Sequence, residues 1–328
     1  MKKILLTLLL AIPVSGYASD RIGFEYINAK SIAESIPSVQ VPMPGSPVYA
    51  EKQELSIPEV KPPLKELKAS DYYFNSYILK AVEYLKKNYG LKGYNIKAVL
   101  THDINYGTYG TIKATKPPQT MCVAAAMETM LTAYQIYLNE TGDYTPYNYL
   151  PKSSYERLGI GDLKGHIWVN HSFNSWGTAD ALANFGMGVK VKFDKLQPGS
   201  FVNINRTTKT GHAVVFISYL NSDGKEQYYY NDKVIGFKYF SSQGGAEAGK
   251  GGFDYRYAIF SKFGCPNLNS TIKRDCNVIY SENQNYLNTG MMLSPKYWTG
   301  VKPDANQAAG FSVFDGNYFN GVTTDDNL

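Results

Sequence analysis

The chain has 328 residues, is 44% hydrophobic and 19% charged, and carries a formal charge of +5. With 29 Gly, 28 Tyr and 15 Phe it is neither an intrinsically disordered polymer nor a coiled coil, since both need far more charge. A chain of this length buries roughly 75% of its unfolded surface, so its three cysteines are not needed to make up for a small core.

Lys2 and Lys3 precede an apolar run from Ile4 to Val14, which ends at Gly16-Tyr17-Ala18. This is the pattern of a signal peptide over residues 1–18, and the run is too short to span a bilayer. The expectation is an exported, periplasmic or extracellular chain beginning at Ser19. Removal of the signal trims two lysines from an already small positive charge. With no Lys/Arg-rich run either, nothing points to nucleic acid.

Residues 19–70 hold Pro37, Pro42, Pro44, Pro47, Pro58, Pro62 and Pro63 without a sustained period. They read as an extended strap or spacer, with an inhibitory pro-segment as the alternative. A folded domain is expected over 71–262. Its first helix follows Asp71, with Tyr73, Tyr77, Ala81, Tyr84 and Leu85 at helical spacing, and stops at Asn88-Tyr89-Gly90. A second helix follows Pro117-Pro118. Val123, Met127, Met130, Leu131, Tyr134 and Leu138 form its apolar stripe, and Glu128, Gln135 and Asn139 fall on the other side. Ala124, Ala125 and Ala126 allow a close approach to a sheet. A short helix is expected from Thr178 to Asn184.

Beyond Gly186 the period falls to two, and strands are expected at 189–193, 200–204, 212–220, 226–231, 234–241 and 253–260. Helices followed by a run of antiparallel strands give an α+β fold. Residues 263–328 read as a loop-rich extension, and in an oxidising compartment Cys265 and Cys276 are expected to pair across it.

That pairing leaves Cys122, which lies off the apolar stripe at the start of the alanine-rich helix. Free N–H groups there favour a thiolate and should lower the thiol pKa. A thiol nucleophile needs a base. His102 and His166 occupy polar, loop-like stretches and His171 lies beside Asn174-Ser175-Trp176-Gly177, whereas His212 opens the strand Ala213-Val214-Val215-Phe216-Ile217. No HExxH is present, His166 and His171 are five apart, and Cys265 and Cys276 lack zinc-knuckle spacing, so no metal or cofactor is expected. The glycine-rich stretch Gly244–Gly252 lacks a Lys-Ser/Thr ending and reads as a flexible loop beside the site.

The segment QTMCVAAAMETML, then LQPGSFVNI, then GHAVVFISYL about ninety residues after the cysteine, resembles papain-like bacterial cysteine peptidases and amidases. The nearest groups are NlpC-type and CHAP-like cell-wall hydrolases and the related bacteriocin leader peptidases, over roughly residues 110–262. The resemblance implies a papain-like fold, Cys122 as nucleophile, His212 as general base and Gln119 as an oxyanion donor, although the family often places that residue slightly farther upstream. Two residues compete to orient the base. Hairpin geometry around Asp223-Gly224 favours Asp232, and the abrupt polar ending Ser241-Ser242-Gln243-Gly244 favours Gln243. Asn174-Ser175-Trp176-Gly177 is similar to papain's asparagine motif, but it precedes the histidine rather than following it. It reads as the start of a helix, with Trp168 and Trp176 as core or pocket wall.

The implied activity is amide hydrolysis, with peptidoglycan stem peptides as the substrate class. The alternatives are a secreted effector protease or deamidase acting on a protein, and a non-enzymatic envelope-binding module.

Overall fold

A computed structural model describes residues 71–206, 210–300 and 303. The signal peptide and the proline-rich segment lie outside the described residues. Five α-helices are described: α1 (Asn75–Tyr89), α2 (Cys122–Thr141), α3 (Thr145–Tyr149), α4 (Leu163–Ile167) and α5 (Thr178–Asn184). A small hairpin pairs β1 (Ile104–Asn105) with β2 (Thr111–Ile112). The main sheet holds β3 (Gly188–Lys190), β4 (Phe201–Asn205), β5 (Gly211–Asn221), β6 (Glu226–Gln227), β7 (Val234–Gly244), β8 (Gly251–Phe260), β9 (Arg274–Val278) and β10 (Leu287–Met292). Its order is β3-β10-β4-β5-β7-β8-β9, with β6 on β5. Helices and an antiparallel-dominated sheet therefore make up the fold, the β8–β9 pair being parallel.

Strands β4 and β5 are buried on both faces, which is why AVVFI reads as a continuous apolar run instead of alternating. One face, with Ala213, Val215 and Phe240, packs against α1 and α2. The opposite face gathers Val202, Val214, Phe216, Phe237 and Phe260 around Phe193, whose ring meets six other aromatic rings edge-on or tilted. Such offset contacts add about 0.5–1.5 kcal/mol per pair to area burial.

The turn Gln197-Pro198-Gly199 joins the helices to this sheet. Asn75 at the start of α1 donates Nδ2–H to the Pro198 carbonyl at 2.9 Å. Gly199 has φ 89°, and a Cβ there would lie 2.6 Å from the Asn75 carbonyl oxygen, so only glycine allows this approach. The Gly199 N–H then bonds the Phe216 carbonyl at 2.8 Å, which leads β4 onto β5, the strand that His212 opens.

Several expectations change. The first helix starts at Asn75, so Tyr73 of the expected helical pattern lies before it. Glu128 is fully buried: the carboxylate accepts the Thr101 N–H at 3.0 Å and the Thr101 hydroxyl, and lies 3.3 Å from His102 Nδ1. The loop around Thr101 therefore covers a helix face expected to be wet.

The stretch after residue 262 also departs from a loop-like extension. It supplies β9 and β10, and β10 runs antiparallel between β3 and β4 with all six residues buried. Asn288, Thr289 and Gly290 hid this strand, because polar side chains that find acceptors or donors inside the protein leave no apolar pattern. Asn288 Oδ1 accepts the N–H groups of Ala179 and Asp180 at the start of α5. The expected Cys265–Cys276 disulfide is present, with Cα atoms 5.4 Å apart, and anchors the loop that precedes β9. No described helix is long and apolar enough to cross a membrane.

Candidate active site

Cys122 is the first residue of α2, after an extended Met121 that offers no side-chain cap. The backbone N–H groups of Cys122, Val123 and, from β5, Ala213 are close enough to favour its thiolate electrostatically. Burial nevertheless dominates. Cys122 is fully inaccessible, and desolvation pushes its thiol up to about 12 against the opposing pull of these N–H groups and of Arg206. The expected depression by the helix terminus is overturned in this closed state, because removal from water outweighs three N–H dipoles.

The Ala213 contact has a structural cause. The β5–β7 ladder ends with Val215 opposite Phe240, beyond which the strands part. In the opening the Ser241 hydroxyl donates to the Ala213 carbonyl at 2.7 Å, and the Ala213 N–H, one residue from His212, acts on the thiol.

Carrying the last β5–β7 register three residues farther brings Gln243 opposite His212. The side chains meet there, His212 Nε2 to Gln243 Oε1 at 2.8 Å, and Gln243 Nε2 donates to the Asp254 carbonyl at 3.1 Å. The second bond turns the amide oxygen toward the imidazole, which fixes the ring proton on Nε2 and leaves Nδ1 as the basic nitrogen. Tyr239 stands edge-on to the His212 ring at 5.6 Å. Burial lowers the His212 pKa to about 4; the Gln243 bond opposes this and Arg206 adds to it.

Asp232 is elsewhere. It is exposed in the connection before β7, whose first paired residue, Val234, faces Asn221 at the far end of β5 from His212. The expected strand 226–231 ends at Gln227, and Tyr228, Tyr229 and Tyr230 leave the sheet as a turn, so the hairpin returns later than the argument for Asp232 required.

Gln119 is drawn into a tie between loops. Its Oε1 accepts Asn95 Nδ2 at 2.9 Å, and its Nε2 donates to the Ala246 carbonyl at 2.8 Å. Around it the glycine-rich β7–β8 turn is fastened to residues 91–94 by Gly93 N–H to Gly251, Tyr94 N–H to Gly245 and Gly249 N–H to Leu91. A Cβ at Gly93 would fall 2.2 Å from the Ala246 carbonyl oxygen. The stretch expected to be flexible is a bonded clasp beside the nucleophile.

The NSWG segment holds α5 in place. Trp176 N–H donates to Asp180, Thr178 N–H to Asn203, and the Trp176 carbonyl accepts Asn205 Nδ2.

Sequence reasoning missed four side chains. Tyr94 and Tyr239 lie within electrostatic reach of the thiol, each with its phenol pKa raised, chiefly by burial. Arg206 and Arg256 both act on His212. Tyr239 and Gln243 are four apart on one strand face, so alternation alone would have joined them. Arg256 needs the β7–β8 register, which places it opposite Tyr239. Among the described residues no group of three or more His, Cys, Asp or Glu side chains is placed to hold a metal ion. No family model, curated protein or solved structure matches this chain.

Proposed function

We propose that the chain is an exported cysteine hydrolase of the papain-like kind that cleaves amide bonds, with peptidoglycan stem peptides as its substrate class. The observation that carries this reading is a helix-opening thiol facing the strand of an imidazole oriented by Gln243, with the N–H of Ala213, the residue next to that imidazole, acting on the thiol. Gln243, not Asp232, is the orienting residue in this mechanism.

The dyad rests as neutral thiol and neutral imidazole. As Sγ attacks the substrate carbonyl carbon, its proton passes to His212 Nδ1, and the Gln243 amide oxygen stabilises the imidazolium through Nε2–H. The backbone N–H groups of the first turn of α2 face the position where the oxyanion forms. Collapse of the tetrahedral intermediate returns the proton to the leaving amine and gives a Cys122 thioester. Water then attacks this ester, with His212 taking its proton, and releases the carboxylic acid and the thiol. Because Cys122 is fully buried, substrate must first open a path to the thiol.

Acid quenching during turnover, followed by intact-mass measurement, tests the reading. An acyl adduct mapped to Cys122 is the expected result. Turnover that leaves no adduct on wild type and persists in Cys122→Ala would reject it.

A further inference from the structure

The sheet face that carries His212 holds two guanidinium groups with different surroundings. Arg206, just after β4, pairs with Asp275 and donates Nε–H to the Asn277 carbonyl at 3.0 Å. Arg256 on β8 is partly buried, yet among the described residues its guanidinium has no hydrogen bond or ion pair. It is not remote from the dyad. Arg256 stands directly across the ladder from Tyr239, whose ring is 5.6 Å from that of His212. One of its terminal nitrogens lies 3.4 Å from where a Cβ at Gly244, the neighbour of Gln243, would sit, which puts the guanidinium beside the residue that orients His212. Its charge is felt at both the imidazole and the Tyr239 phenol.

A partly desolvated guanidinium with five donors and no acceptor is costly unless an anion completes it. Asp275, the acid that also acts on His212, is already paired with Arg206. In an amide substrate the anion that suits a planar fork is a carboxylate. We propose that Arg256 is a carboxylate-binding subsite that selects peptides bearing a free carboxylate close to the scissile amide. The proposal rests on the hydrolase reading for its substrate, but the subsite can be tested without turnover.

The test is calorimetric titration of the Cys122→Ala protein with two pairs of acetylated peptides, one differing as side-chain Glu against Gln and one as C-terminal acid against amide. One acid form should bind about 10- to 100-fold more tightly than its amide, the range set by a hydrogen-bonded charge. Which pair responds identifies the source of the carboxylate. Adding Arg256→Gln should erase the preference, Arg256→Lys should keep part of it, and thermal midpoints should confirm that all variants are folded. Equal binding of acid and amide, no binding of either, or a preference that survives Arg256→Gln overturns the subsite.

Incubating the wild type with the same peptides separates the two readings. Arg256-dependent binding without any hydrolysis keeps the subsite and rejects the hydrolase. Hydrolysis with no acid preference does the reverse.

Discussion

Among the described residues His166 is buried and His212 half-buried, and their surroundings divide them. His166 on α4 is buried, with Nε2 2.7 Å from the Ile160 carbonyl, Nδ1 3.3 Å from Asn184 Nδ2, Phe173 stacked on the ring and Phe185 against its edge. His212 is likewise held at Nε2, but at the mouth of a parted ladder, where the next residue's N–H acts on a thiol. Burial lowers both pKa values. A depressed, hydrogen-bonded histidine is therefore not a sign of catalysis in itself. What distinguishes His212 is that the chain around it opens instead of closing.

Breaking each region should give opposite outcomes. His212→Ala should lower kcat by about 10²- to 10⁴-fold, the usual worth of a general base, with little loss of stability. His166→Phe should leave kcat within about threefold and lower stability by about 1–3 kcal/mol, because the Asn184 amide would lose its partner. Steady-state kinetics and urea unfolding of both variants check this. A large kcat loss in His166→Phe would dissolve the contrast.

Gln243→Ala should cost about 10- to 100-fold in kcat by freeing the imidazole to misalign, and Asp232→Ala should change nothing measurable. A larger loss in Asp232→Ala than in Gln243→Ala would return the orienting role to the loop.

The acid dependence sharpens the same comparison. His212 must be neutral to accept the thiol proton, so kcat/KM should stay level from neutral pH down to about 5 and fall only as pH approaches about 4. An acid limb near 6.5 would place the imidazole in a wetter setting than the structure gives it. Alkylation of the resting protein by iodoacetamide should be slow at pH 7–9 and rise only in strong alkali, since the thiol is pushed up to about 12.

Stability follows by linkage. For both histidines the unfolded chain takes up a proton near pH 6.5 while the folded form resists it, so stability is constant above about 7 and declines as pH falls below 6.5. His166→Phe should flatten part of that decline, the smallest of these effects.

Much of this arrangement was legible in the residues. The Cys122 helix, the Thr178–Asn184 helix and the run of strands follow from spacing, because each has one dominant period or a clear stop. Gln243 was legible as a polar break in an aromatic strand. β10 was not, since Asn288 Oδ1 serves the start of α5 and Thr289 donates to the Val191 carbonyl just after β3, and buried polar side chains leave no hydrophobic signature. Glu128 was misplaced for the same reason: a buried carboxylate and an exposed one look alike until the covering loop is known. The opposing pulls on the Cys122 thiol were out of reach too, because a helix start declares its dipole while only the packed structure declares its burial.

The most direct test of the central claim is a digest of purified peptidoglycan by wild type and by Cys122→Ala, with the soluble products resolved by mass. The account predicts peptide fragments from the wild type and none from a Cys122→Ala protein whose thermal midpoint is essentially unchanged. The same fragments released by the folded Cys122→Ala protein would contradict it.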